Sequence, residues 1–230
     1  TAQLGTPFNG SICAADGRPF FIEHNIIRLA ENRQSFDTLA QRSNHISVTA
    51  QLYEALWRRH SISLLSGESF SLNEEKKLLL DWTGPISGET ILDVGCSTAF
   101  YARNLQDFEP DTQTVALDLS FPMLQKAREK AVTEKIDLFL IQADARQIPF
   151  FNDTFDIVAM GGTLNEVSNT AQVLTEIRRV LRSNGRFFIM YLLKSKQWLG
   201  RIAQESISLA GLHFWTYKES KKLFEGAGFT

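Results

Sequence analysis

Asp93, Asp118 and Asp144 stand within or at the end of short apolar runs, Ile91–Val94, Thr114–Leu117 and Leu138–Gln142. A fourth run, Phe155–Met160, stops on Gly161-Gly162. Gly95 follows the first run, and Gly95, Ser97 and Ala99 alternate with Cys96 and Thr98 before Phe100. An ionised carboxylate only accepts hydrogen bonds. Three of them beside a turn of small residues therefore suit a ligand that carries several donors or a cation. An aspartate at one strand end is more often a cap or turn residue. Three in series at successive strand ends reverse that weighting.

Three ligand classes compete for such a turn. A phosphate-binding P-loop closes with Lys-Ser or Lys-Thr, and no lysine follows Gly95. A dinucleotide site needs G-x-G-x-x-G, so that backbone can approach a pyrophosphate; here the three positions are Gly95, Ser97 and Phe100. S-adenosylmethionine has no phosphate but offers an ammonium, a ribose diol and an adenine amine. It gives Asp93, Asp118 and Asp144 one donor group each, with Gly95, Ser97 and Ala99 as small residues beside the methionine portion.

Positioning these groups at one edge takes a particular set of elements. The apolar runs alternate with helix patterns over Phe100–Gln106, Pro122–Ala131, Ala171–Leu181 and Lys218–Glu225, and "RFFIMYLL" reads as a fifth strand. Nearly continuous apolar runs mark strands buried on both faces. Their alternation with helices predicts an α/β protein, a doubly wound, mostly parallel sheet with helices on both faces. In such a sheet ligands bind at the carboxyl ends of the strands. Ser71 and Glu74 form a capping box for a helix that Gly84-Pro85 stops. Asn184-Gly185 is expected to end the Ala171–Leu181 helix.

Residues 1–66 differ in character and read as an N-terminal extension, with 67–230 as the ligand-binding domain. Turn signals at Asn9-Gly10 and Asp16-Gly17 suggest a small hairpin. Ser47–Leu65 puts Leu52, Leu56 and Trp57 at helical spacing, as one or two helices covering the site. Residues 194–217, between the fifth strand and the last helix, read as an amphipathic lid.

Apolar residues make up 43% of the 230 and charged residues 22%, the balance of an ordinary globular protein, and the net charge of −2 gives no basic surface for nucleic acid. Cys13 and Cys96 fit neither a zinc spacing nor a disulfide framework. With no apolar stretch long enough to span a bilayer and no signal sequence, a cytoplasmic location is expected, with membrane contact through the lid as the variant.

The stretches "ILDVGCSTAFYARNL", "VALDLSFPMLQKAREKA", "LIQADARQIPFFNDTFDIVAMGG" and "VLTEIRRVLRSNGRFFIMYLL" resemble, in order, the motifs of class I S-adenosylmethionine-dependent methyltransferases. They are most similar to the ubiquinone and menaquinone biosynthesis group, over roughly Leu72 to Phe229. The resemblance implies a Rossmann-like fold and a methyl donor bound by this chain. By it Asp93, Gly95, Cys96 and Ser97 would line the methionine part, and Asp118 would bind the ribose. Leu119 and Met123 would flank the adenosine, Asp144 and Ala145 would hold the adenine, and Gly161 and the residues after it would face the transferring methyl. Two departures stand out. The family has glycine at the positions of Ser97 and Ala99; if both need positive φ, affinity should suffer. The family's sheet also finishes with a hairpin after the equivalent of "GAGF", so the chain is expected to continue past Thr230.

Methyl transfer is an in-line displacement that needs alignment first and a base for a phenol or acidic carbon. Glu166, Tyr191 and His213 are the candidate bases. His60 and the rings of Tyr53, Trp57, Trp198, Phe214 and Trp215 read first as packing or surface. The lid's Trp, Leu and Phe content points to a small apolar acceptor, quinol- or lipid-like. The rival reading is a binding protein on the same fold, in which Ser97 and Ala99 record altered or lost catalysis.

Overall fold

The computed structural model describes residues 9–13, 19–29, 70–209 and 211–229. The Asp16-Gly17 turn, the Ser47–Leu65 helices, Tyr53, Trp57 and His60 lie outside them. Eight strands form one sheet: β1 (Gly10–Cys13), β2 (Pro19–Glu23), β3 (Ile26–Arg28), β4 (Thr90–Val94), β5 (Gln113–Asp118), β6 (Phe139–Gln142), β7 (Phe155–Gly161) and β8 (Leu181–Met190). The helices are α1 (Leu72–Thr83), α2 (Phe100–Phe108), α3 (Phe121–Glu134), α4 (Thr170–Val180), α5 (Trp198–Ser208) and α6 (Tyr217–Gly226), with a 3-10 turn at Thr163–Asn165.

The strand order is β1-β2-β3-β6-β5-β4-β7-β8. From β3 to β8 every pair is parallel, whereas β1, β2 and β3 pair antiparallel. The chain moves one way from β4 through β5 to β6, then crosses to β7 on the other side of β4. That reversal opens a crevice above the carboxyl ends of β4 and β7, where this architecture binds ligands.

Strand alternation divides the core between the two faces. Leu92, Val94, Val115, Leu117, Val158 and Met160 pack with Val173, Leu174, Ile177 and Val180 of α4. On the opposite face Ile91, Ile157 and Ala159 meet Leu79 of α1 and Tyr101 and Leu105 of α2, while Ala116 and Leu140 meet Leu124 and Ala127 of α3. Because β4 is central, Ile91, Leu92 and Val94 are all fully buried.

The caps follow local chemistry. Ser71 and Glu74 exchange the capping-box bonds at 3.2 and 2.7 Å, and Gly84 ends α1 at φ +46°. Ser120 caps α3, with Pro122 in its first turn. At α4 the structure corrects the sequence expectation. The helix stops at Val180, and Asn184-Gly185 lie inside β8, in a register irregularity where Phe155 faces Leu181 but Ile157 faces Arg186. The tight turn joining β2 to β3 is His24-Asn25, both at positive φ, the geometry of a two-residue hairpin. Through β3 this N-terminal piece extends the parallel sheet, pairing Ile26 with Leu140.

Candidate ligand site at the strand ends

The loop from β4 into α2 is a tight backbone turn. Gly95, Ser97 and Ala99 lie at φ +65°, +51° and +59°. A Cβ on Gly95 would run into the side chain of Thr163, whose hydroxyl donates to the Gly95 carbonyl at 2.9 Å. Glycine there answers both to conformation and to space. Ser97 and Ala99 occupy left-handed geometry that costs an L-residue roughly 1–2 kcal/mol. Both positions do require positive φ, so the two departures from glycine carry strain.

Asp118, at the end of β5, ties this loop to the next one. Its Oδ2 accepts from the Ser97 N–H at 2.7 Å and its Oδ1 from the Ser120 N–H at 2.8 Å. Burial pushes its carboxyl above the ordinary aspartate value, and these N–H groups pull in the opposite direction. Asp118 lines a cavity with Gly95, Ser97, Leu119, Ser120, Met123, Asp144, Ala145, Arg146, Thr163 and Glu166. The Ser97 hydroxyl sits 3.5 Å from the Met123 sulfur. The cavity wall thus combines acceptors, backbone edges and apolar surface.

Asp144 faces the same cavity, but its carboxylate is engaged. The Arg146 N–H donates to Oδ1 at 2.8 Å, and the guanidinium reaches Oδ2 through Nη2 at 2.6 Å. Asp93 does not line the cavity. It is 2% exposed, and its Oδ2 accepts from the Ala102 N–H at 3.0 Å in the first turn of α2. A carboxylate there suits the positive end of a helix. Two of the three acids therefore meet in one cavity, and the third supports the loop from beneath.

Two further positions expected at the ligand lie elsewhere. Cys96 is buried among Ile26, Ala102, Ala116 and Leu124, and burial raises its thiol well above the ordinary range. Gly161 backs onto the Tyr101 ring, where a Cβ would not fit; the Tyr101 hydroxyl donates to buried Glu75 at 2.6 Å. Of the candidate bases, Glu166 lines the cavity. Tyr191 packs among the rings of Trp215 and Phe224, and the His213 ring packs beside Trp215. Among the described residues no group of three His, Cys, Asp or Glu could hold a metal ion.

Sequence reading singles out neither Arg146 nor Asn165, two residues that shape the site. Asn165 is 2% exposed. Its Nδ2 donates to the Leu192 and His213 carbonyls at 2.9 and 2.6 Å, its Oδ1 accepts from the Leu192 N–H at 2.8 Å, and its carbonyl accepts from the His213 N–H at 2.8 Å. It joins the loop after β7 to both roots of the 194–214 excursion that carries α5. The roots also meet each other, with the Lys194 N–H donating to the Trp215 carbonyl at 2.8 Å. The polar side chain in "TLNEV" was the available signal, but spacing alone does not say which loop it reaches.

Residues 92–189 match the family model described as a methyltransferase domain. The ubiquinone/menaquinone biosynthesis C-methyltransferase UbiE of Dinoroseobacter shibae is 31% identical over 117 residues, 50% of this chain and 47% of that protein. The malonyl-[acyl-carrier protein] O-methyltransferase of Legionella pneumophila is 35% identical over 100 residues, 44% of this chain and 35% of that protein. The chain thus spans about half or less of the length of these curated relatives. Among solved structures, phosphoethanolamine N-methyltransferase 2 of Haemonchus contortus in complex with S-adenosyl-L-methionine aligns with a TM-score of 0.66. It is 21% identical, with 86% of this chain and 45% of that one covered.

Proposed function

We propose that the chain is a class I S-adenosylmethionine-dependent methyltransferase, which transfers a methyl group from S-adenosylmethionine to a small apolar acceptor, quinol- or lipid-like; the methyltransferase-domain match and the methyltransferase relatives support it. The observation that carries the reading is the Asp118 carboxylate, held by the Ser97 and Ser120 N–H groups in the wall of a cavity lined by residues at and beyond the ends of β4, β5, β6 and β7. A carboxylate has about four acceptor sites; the Ser97, Ser120 and Leu119 N–H groups draw on three of them, which leaves capacity for a ribose hydroxyl. Leu119 and Met123 supply apolar surface for a purine, and Gly95, Ser97 and Thr163 leave only backbone and small side chains beside them. This donor set and its tight cradle fit the cofactor.

When bound, S-adenosylmethionine supplies a methyl group made electrophilic by its sulfonium. The residues of the chain orient and exclude water. Gly95, Ser97, Asp118, Leu119, Met123, Asp144 and Ala145 hold the cofactor, with Asp93 bracing the loop from below. Glu166 is the candidate base on the acceptor side. The Ser97 and Ala99 strain lowers affinity without closing the cavity.

The apolar acceptor is supported by the UbiE relative and by the exposed Trp198, Ile202 and Leu209 on and just after α5. No helix among the described residues is long and apolar enough to cross a membrane. In our reading α5 meets lipid at a membrane surface through these exposed apolar side chains. The test is methyl incorporation from labelled cofactor into a panel of prenylated quinols, free acids and acyl-carrier thioesters. Transfer to a quinol supports the proposal. Transfer confined to the malonyl thioester, the substrate class in the name of the second relative, replaces the acceptor. No transfer to any acceptor, with cofactor binding retained, favours a binding protein.

A further inference from the structure

We infer that Arg28 of β3 is a positioning residue for the ribose acceptor, a role that rests on the adenosyl reading of the cavity and extends it to the N-terminal strands. β3 lies outside residues 92–189, the segment matched to the methyltransferase domain.

Arg28, Gln142 and Asp118 stand in register across β3, β6 and β5. Residues paired on neighbouring strands share one face of the sheet. Along that face the side chains form a relay. The Arg28 Nε donates to Gln142 Oε1 at 3.0 Å, and Gln142 Nε2 donates to the Leu119 carbonyl at 3.1 Å. Gln142 is 1% exposed, and a buried amide needs such protein partners. The Leu29 N–H donates to the Gln142 carbonyl at 3.0 Å, which keeps the two strands level.

Arg28 also grips the far side of the same turn. Its guanidinium carbon lies 4.6 Å from the centroid of the Phe121 ring, within cation–π range. Phe121 is the first residue of α3. Leu119 and Phe121 therefore both answer to Arg28, one through Gln142 and one directly. Beside them stand Asp118 and Ser120, whose N–H donates to Asp118 Oδ1 at 2.8 Å. The guanidinium is itself held, since its Nη1 donates to Glu23 of β2 at 2.5 Å. Asp118, Leu119 and Ser120 line the cavity, whereas Arg28 and Gln142 do not. Arg28 thus acts on the ligand only through the turn. Without the relay the Leu119 carbonyl loses its side-chain donor, and the direction in which Asp118 presents its remaining acceptor site is no longer fixed. That loss falls first on the ribose hydroxyl contact.

The experiment is calorimetric titration of the full chain with S-adenosylhomocysteine and with its 2′,3′-dideoxy analogue, which lacks the hydroxyls. Wild type is expected to prefer the diol ligand. In Arg28→Met, which keeps an unbranched stem but no donor, that preference is expected to shrink by roughly 2- to 12-fold, the range of one net hydrogen bond. Gln142→Met removes the bridging amide and is expected to shrink it likewise. A residue that only stabilises the sheet would lower the melting temperature and leave the ratio of the two affinities unmoved. Thermal melts establish that each variant is folded at the titration temperature. Should Arg28→Met not fold, Arg28→Lys, which lacks the N–H that meets Gln142, replaces it with the same expectation. An unchanged ratio in a folded variant of either residue overturns the inference and leaves the adenosyl reading standing. A wild type that binds neither ligand, or binds the two equally, overturns the assignment of Asp118 to the ribose and the inference with it.

Discussion

The Thr163 hydroxyl, just beyond β7, donates to the carbonyl of Gly95, just beyond β4, at 2.9 Å. This bond locks together the two loops that flank the reversal in strand order. It also fills the space a side chain at Gly95 would need. Gly95→Ala therefore combines a left-handed alanine with a collision against Thr163. Destabilisation of about 2–4 kcal/mol is expected, from left-handed strain and overpacking together. Chemical denaturation measures it. Thr163→Ala in the Gly95→Ala background should recover part of the loss by opening the space.

Ser97 and Ala99 share left-handed geometry but differ in burial. Ser97 lines the cavity, whereas Ala99 is fully buried in the core. Glycine relieves roughly 1–2 kcal/mol of strain at either site and costs about 0.4–1 kcal/mol in unfolded-chain entropy. At Ala99 it also removes a buried methyl worth about 0.8 kcal/mol. Ser97→Gly is expected to stabilise by up to about 1 kcal/mol and to tighten adenosyl binding. Ala99→Gly is expected to be near neutral in stability. Paired melts and titrations of the two variants check the order.

Asn165 holds both roots of the excursion that carries α5. Asn165→Ala leaves the Leu192 N–H and the Leu192 and His213 carbonyls without their side-chain partner. Unsatisfied buried groups cost about 1–3 kcal/mol each; these are part-buried, with His213 exposed and open to water, so a loss of roughly 1–3 kcal/mol in all is expected. Limited trypsinolysis should cut faster at Lys194, Lys196 and Arg201, all exposed. A variant with unchanged cleavage there would detach Asn165 from the role of root clamp.

Asp118 makes binding sensitive to acid. Its native pKa is raised above 3.8 by burial, so its proton arrives earlier on acidification than for an ordinary aspartate. A protonated carboxyl loses acceptor capacity toward the diol. Adenosyl affinity should fall as pH drops through this raised pKa, and Asp118→Asn should flatten that part of the profile. The stability contribution has the opposite slope: for an acid raised on folding it is full below the unfolded value and is lost as pH rises through the native one. Titrations and melts across pH 4–7 separate the two.

Much of the frame is legible in the sequence for a physical reason. Strands buried on both faces must be apolar throughout, and Ile91–Val94, Thr114–Leu117 and Phe155–Met160 announce themselves that way. Caps are local chemistry, so Ser71, Gly84 and Ser120 are readable too. What escapes is tertiary. The three residues of β3 carry too little pattern to reveal their pairing with β6. Asp93 was readable in principle, because it shares a strand face with Ile91, the face that α2 covers. The capture of Asp144 by Arg146 and the reach of Asn165 across to Leu192 and His213 depend on side-chain directions that spacing does not encode.

The central claim is that the crevice around Asp118 holds an adenosyl group. Isothermal titration of S-adenosylhomocysteine into wild type and Asp118→Ala tests it most directly, with melts to confirm folding. The account predicts saturable one-site binding in wild type and a loss of roughly 5- to 150-fold in the variant, the equivalent of about 1–3 kcal/mol for charge-assisted hydrogen bonds. Equal affinity in the two proteins, or no binding to folded wild type, would contradict it.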